Sequence, residues 1–451
     1  MKHLFLIRHA KSSRADEDLD DHERPLSNRG LSQLAPLAKA LVHTGALEGD
    51  IFCSDARRTQ ETLKGAAPEL REQLHIRPEL YTFDYRNLIR WLKALDDSDS
   101  ERITLVGHNP ALLELAGWLL KHPPAHLPTA GFIHIRLPIT SWGQLAKGTG
   151  KLEHFLTPRD YSYSHFASGL NKPPGGKSPR KIPEALLYQY QLMRQLEPGV
   201  ILGLDDEFTH QYRVAIRRSR AIAEAVRDVT GSRLLDRPVR QLKQNAGATS
   251  RLRDLHVFLQ DLPRLCNRAP VLRSTLEDYF GQAARAEHKR LCRRLTGKRY
   301  QHSMEEWHDL IDSGKFRKLA GNLTSRHIRK SVQERIARFN KRAAVLDESS
   351  PDQDLHWLRK QLKRIRYLME LDGATWKTAL GDLKQRQEIY GQFQDLHVQM
   401  ELIREFRSSD TTGIPRSLDT LEHRLEQRKA GIREQILALG TLSQKSAPAS
   451  D

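Results

Sequence analysis

Three short segments of this chain put cations or imidazoles where an apolar run gives way to a turn. Residues 4–7 (LFLI) lead into Arg8, His9, Ala10 and Lys11. Residues 51–53 lead into Ser54, with Arg58 and Thr59 following after three residues. Residues 103–106 lead into Gly107, His108, Asn109 and Pro110. Arginine offers a rigid fork of donors that fits phosphate oxygens bidentately. A neutral imidazole attacks phosphorus and can hold it as a covalent phosphohistidine. A second imidazole can stabilise charge on the equatorial oxygens during transfer. Arg8, His9, Arg58 and His108 are therefore the candidates for a phosphoryl-transfer site, with either histidine able to serve as nucleophile. No metal and no cofactor is expected, because these turns lack clustered carboxylates.

The elements that must position these residues read as an α/β domain over residues 1–155. Residues 3–7, 51–53, 103–106 and 132–137 are short apolar strands. Residues 31–43, 88–95, 111–120 and a segment running to Leu63 have helical spacing. Strands alternating with helices predict a mostly parallel sheet, with ligands at the carboxyl ends of its strands. Residues 156–180 include a Pro/Gly/Lys-rich stretch and read as a linker. Residues 181–440 show helical spacing throughout and read as an all-α domain. Residues 441–451 read as a disordered tail.

The helical part contains an internal repeat. His210, Arg213, Arg217, Arg218 and Arg220 recur 146 residues later as His356, Arg359, Lys363, Arg364 and Arg366. The tetrapeptide DLHV follows in each half, at 254–257 and 395–398. Two elements repeated in the same order predict a duplicated bundle, with halves of about 181–320 and 321–440 and four helices in each. At about 100° per residue, all five motif positions fall on one half of their helix, and Lys360 joins the second copy. A face so basic repels itself unless an anion sits on it. Two such helices facing each other across a pseudo-twofold would form a channel for a long linear anion.

The charge follows the same division. The formal net charge is +17, yet residues 1–155 hold 20 basic and 20 acidic side chains, and residues 181–440 hold 48 and 34. That asymmetry points to a polyanion for the second part: nucleic acid, polyphosphate or an anionic lipid surface. Three scattered cysteines, Cys53, Cys266 and Cys292, suggest neither a disulfide framework nor a zinc site. Residues 111–120 are too short an apolar run for a membrane span, so a cytoplasmic protein without a membrane partner is expected.

The segments LFLIRHAKS, DDHERPLSNRG, SDARRTQET and LVGHNP, in this order, resemble the histidine phosphatase superfamily, and within it the SixA-like phosphohistidine phosphatases. The resemblance implies that His9 is the phosphorylated residue, that Arg8 and Arg58 clamp phosphate and that His108 completes the pocket. It also implies that Arg24 helps to bind substrate near the mouth. Ala10 stands where the wider superfamily has glycine. Phosphatases that cleave esters also carry an acid for the leaving oxygen; Glu79 and Asp84 are the candidates, outside the motif such relatives show. A P–N bond needs that acid less, because its leaving nitrogen takes a proton readily from water. A phosphohistidine-bearing protein, or another labile phosphoryl compound, is thus the expected substrate.

Residues 181–440 resemble the CHAD family, the conserved histidine α-helical domain. That resemblance rests on the repeated His-x-x-Arg motif and on Arg253-Asp254-Leu255. It implies a double four-helix bundle binding inorganic polyphosphate through His210, Arg213, Arg217, Arg218, Arg220, Arg253, His356, Arg359, Lys360, Lys363, Arg364 and Arg366. Association with polyphosphate granules would follow. Gln394 replaces Arg253 in the second half. Nucleic acid is the competing partner for this domain. A metal site at His256 and His397 with His210 and His356 lacks a carboxylate or cysteine at ligand spacing.

Overall fold

The run LFLI is apolar at every position, as a strand covered on both faces must be. In the computed structural model it lies within β1 (Lys2–Arg8), which is buried throughout Leu4–Ile7. The structure describes all residues except 17, 97–100, 173–180, 374, 410–415 and 444–451. The chain divides into two units, Met1–Leu170 with Leu202–Glu207, and Asn171–Ile201 with Phe208–Asp451.

In the first unit β1 is followed by α1 (Asn28–Thr44), β2 (Asp50–Cys53), α2 (Arg57–Ala66), β3 (Leu74–Ile76) and α3 (Tyr85–Lys93). Then come β4 (Arg102–Gly107), α4 (Ala111–Leu119), β5 (Phe132–Leu137), β6 (Lys151–Leu156), α5 (Pro158–Tyr161) and α6 (Tyr163–Ala167). The sheet order is β3-β2-β4-β1-β5-β6. The first four strands run parallel; β5 is antiparallel to β1, and β6 is antiparallel to β5. One face packs Leu4, Leu6, Ile103 and Leu105 with α3 and α4; the other packs Phe5, Ile7, Ile51 and Val106 with α1 and α2. Register then decides the site. Arg8 pairs with Gly107 and Cys53 with Val106, so the three turns beginning at His9, Ser54 and His108 open side by side.

The linker expected from residue 156 begins later. Thr157 and Asp160 form a capping box that starts α5, with Pro158 at its first position. Tyr161 is buried in the sheet's core and its hydroxyl donates to the Ala130 carbonyl at 2.6 Å. The linker residues 173–180 lie outside the described residues.

The second unit contains α7 (Ile182–Leu202), α8 (Asp206–Thr230), α9 (Asp236–Ala248), α10 (Ser250–Leu265), α11 (Pro270–Leu295) and α12 (Lys298–Asp312). These are followed by α13 (Gly314–Gly321), α14 (Ser325–Ala343), α15 (Asp352–Glu370), α16 (Lys377–Ser409) and α17 (Arg416–Leu439). No strand occurs in this unit among the described residues. α8 buries Phe208, Tyr212, Ala215, Ile216 and Ser219, and α15 buries Leu355, Leu358, Leu362 and Ile365. These apolar stripes leave the basic motif on the opposite side of each helix.

The second half has the four expected helices, α14–α17, while the first half has more. The DLHV register lays α9 and α10 together along the single long α16, and α12 and α13 have no counterpart in the second half. At the α9–α10 break Arg213 donates from one nitrogen to the Ala246 carbonyl (3.0 Å), Thr249 Oγ1 (3.1 Å) and Ser250 Oγ (2.8 Å). The halves join through Arg251–Glu405 and through Gln399, which donates to Asp261 at 2.8 Å. The tail expected from 441 is ordered at its start. Leu442 is buried and exchanges two hydrogen bonds with the Asn340 amide, at 2.7 and 2.8 Å. Residues 444–451 lie outside the described residues. Among the described residues no helix is long and apolar enough to cross a membrane.

Candidate functional site

The four expected residues of the first unit meet in one pocket. The rings of His9 and His108 lie 5.3 Å apart, and Arg58 donates to His108 Nδ1 at 3.2 Å. His9 Nδ1 lies 2.7 Å from the Ala10 carbonyl. A carbonyl only accepts, so Nδ1 carries the proton and the Nε2 lone pair is free. Burial, reinforced by Arg58 and Arg8, pushes the His9 pKa down to about 4. An arginine only donates, so His108 Nδ1 accepts and its Nε2–H donates to Ser54 Oγ at 2.8 Å. Burial, followed by His9 and Arg58, pushes His108 to about 3. Both imidazoles are therefore neutral near pH 7. Arg8 donates from Nη1 to the Leu127 carbonyl at 2.9 Å, while its buried Nε has no partner among the described residues. An unpaired buried donor at such a turn suits an anion.

The loop over residues 21–24 adds what the motifs did not show. Asp21 accepts from Arg58 Nη2 (2.7 Å), Arg24 Nη1 (2.8 Å) and the Tyr81 hydroxyl (3.0 Å). Its carbonyl accepts from Arg58 Nη1 as well. Despite partial burial, these bonds hold the Asp21 carboxyl below its ordinary pKa. A carboxylate thus occupies the fork of the expected phosphate clamp. Arg24 is further fixed by the Ser13 carbonyl at 2.9 Å. Asp84 caps α3, accepting from Arg86 N at 2.9 Å, and Glu79 is exposed. The carboxylate bonded to the Arg58 fork is Asp21. Its signal was present in the run DDHERPL, but nothing in the spacing said that this loop folds over Arg58. Arg57, beside Arg58, faces solvent and pairs with Glu61 at 2.7 Å.

In the second unit the motif residues of both copies share one electrostatic neighbourhood. Burial pushes the Lys363 ammonium down to about 6, helped by Arg359, Arg217, Arg366 and Arg213. Burial and Arg217, with Arg253 among the lesser causes, bring Arg213 to about 10. The side chains of Arg217, Arg253, Arg359 and Lys363 make no hydrogen bond or ion pair among the described residues, and Arg218, Lys360 and Arg364 are exposed. Three expected anion ligands are already engaged. Arg213 braces the α9–α10 break, Arg220 reaches Glu224 at 3.5 Å, and Arg366 reaches Glu370 at 3.3 Å and Gln387 at 2.7 Å. The two glutamates extend the repeat with the same offset, a signal the sequence contained. His210 lies on α8 and is half-buried. His356 bonds to Gln394, the residue that replaces Arg253. Among the described residues no group of three or more His, Cys, Asp or Glu is placed to hold a metal ion.

A mostly parallel α/β unit with this pocket at its carboxyl edge precedes an all-helical unit with a duplicated basic motif. Residues 4–88 match the histidine phosphatase superfamily (branch 1), and residues 184–404 match the CHAD domain. The chain thus has an N-terminal histidine phosphatase (branch 1) domain and a C-terminal CHAD domain. An uncharacterized chloroplastic protein of Arabidopsis thaliana is 30% identical over 171 residues, 35% of this chain and 78% of its own. A SixA structure from Agrobacterium tumefaciens is 21% identical, covering 35% of this chain and 98% of that one, with a TM-score of 0.30. The CHAD domain of Ricinus communis is 21% identical, covering 58% and 91%, with a TM-score of 0.48.

Proposed function

We propose that this chain is a phosphatase that works through a phosphohistidine at His9 on phosphohistidine or a similarly labile phosphoryl substrate. The observation that carries this reading is the neutral His9, its Nε2 lone pair free, in a pocket with Arg8, Arg58 and a second neutral imidazole. Arg58 and the unpaired Arg8 Nε hold the phosphoryl oxygens. His9 Nε2 attacks phosphorus and the Nδ1 proton, held by the Ala10 carbonyl, keeps the tautomer fixed. His108 orients the Arg58 fork, and Ser54 with Thr59 fixes His108 in turn. The leaving nitrogen takes its proton from water. Water then cleaves the N–P bond at His9 and releases inorganic phosphate.

The CHAD domain, in this reading, binds inorganic polyphosphate through Arg217, Arg253, Arg359 and Lys363, with Arg218, Lys360 and Arg364 at the exposed edge. It tethers the phosphatase to polyphosphate-rich bodies of the cytoplasm. Nucleic acid is the alternative occupant of the same basic cluster. The experiment is phosphoenzyme trapping from phosphoimidazole. Wild type is expected to form an acid-labile, base-stable adduct that His9→Ala cannot form. Turnover that persists in His9→Ala would sink the mechanism.

A further inference from the structure

The pocket's mouth holds two aromatic rings that the phosphoryl chemistry does not use. Phe83 is 47% exposed, although it stands beside the most buried imidazole of the site. Its ring centroid lies 5.7 Å from His108 and 5.7 Å from Tyr81. Tyr81 meets His108 edge-on at 5.2 Å, and the Arg58 guanidinium sits 5.8 Å from the Tyr81 ring. Between them Thr82 is buried, and its hydroxyl accepts from Asn87 Nδ2 at 2.9 Å and from Asp84 N at 3.2 Å. The loop is thereby pinned, with both rings held against His108, Tyr81 also edge-on to His22 at 4.9 Å, and Phe83 exposed on its outer side.

Rings held in advance favour a planar guest, because little side-chain freedom is lost when it binds. Aromatic pairs prefer offset or edge-to-face contact at centroid separations of about 4.5–7 Å. The separations from Phe83 and Tyr81 to His108 fall in that range, so a ring attached to a phosphoryl group in the pocket meets the same geometry. A ring that becomes cationic on protonation gains further from the aromatic faces.

We infer that Tyr81 and Phe83 form a leaving-group subsite that takes a planar imidazole, selecting phosphohistidine over phosphoryl compounds without a ring. This rests on the phosphohistidine reading above and names the residues that recognise the leaving group. As His9 Nε2 bonds to phosphorus, the substrate's imidazole N–P bond breaks and its electron pair stays on the departing nitrogen. That nitrogen takes a proton from water, and the ring leaves along the aromatic wall. Water oxygen then bonds to phosphorus, the N–P bond to His9 breaks, and the pair returns to Nε2.

The test compares phosphoimidazole with phosphoramidate, which has the same P–N bond and no ring, on the full chain. Phe83→Ala is expected to raise KM for phosphoimidazole about tenfold, the upper worth of an aromatic contact. Its kcat, and both constants for phosphoramidate, should stay as in wild type. Phe83→Trp should restore the KM. An equal change on both substrates, or none on either, overturns the subsite and leaves the phosphohistidine mechanism standing. A wild type that turns over neither compound overturns both.

Discussion

Asp21 offers the sharpest test of the pocket's electrostatics. It places one negative charge between Arg58, Arg24 and the Tyr81 hydroxyl, where a phosphoryl group would otherwise be held. Its carboxyl is held below its ordinary pKa, so the competing charge is present at neutral pH. Asp21→Asn keeps the shape and removes the charge. Arg58 keeps its bonds to the Asp21 carbonyl and to His108, so the fork stays in position. Two charges about 4 Å apart interact with about 4 kcal/mol at an effective dielectric constant near 20 and about 1 kcal/mol in water. The Asp21 side chain is 48% exposed, which places it towards the watery limit. Relief of about 1 kcal/mol corresponds to roughly fivefold tighter binding of phosphate. The measurement is the dissociation constant of inorganic phosphate by titration calorimetry at pH 7, for wild type and Asp21→Asn. Asp20→Asn, an exposed neighbour, controls for net charge. Unchanged or weaker binding in Asp21→Asn would refute the competition and make Asp21 a brace for Arg58 instead.

Two further outcomes follow from the titrating groups. His9 at about 4 and His108 at about 3 lie below the ordinary imidazole value of 6.5. The unfolded chain then binds more protons between about pH 4 and 6.5, so stability is full above that window and falls as pH drops through it. The His9 Cε1–H resonance should hold its neutral position down to pH 5, and the urea midpoint should be lower at pH 5 than at pH 7; a His9 midpoint near 6.5 contradicts the buried pocket. Lys363, at about 6, is mostly neutral at pH 8 and gains its charge as pH falls. Polyphosphate affinity should therefore rise from pH 8 to pH 6, and Lys363→Met should flatten that rise; an equal slope in the variant removes Lys363 from the binding cluster.

The sequence alone determined the setting of His9. An apolar strand followed by Arg8 and His9, with two more strand-to-turn segments, specifies a sheet edge, because strand burial and turn chemistry are local properties. The 146-residue repeat likewise established the duplicated basic helices, since helical spacing fixes which side chains share a face. Short β3 and the charged edge strand β6 left no apolar alternation to detect. Neither did α16, whose buried residues spread around more than one face. Only the tertiary structure decided what fills the pocket. Asp21 reaches Arg58 across 37 residues of chain, and Arg213 turns from a ligand candidate into the brace of a helix break. Partner choice of that kind depends on which loops and helix ends arrive at the same place, and this is set by packing between distant segments.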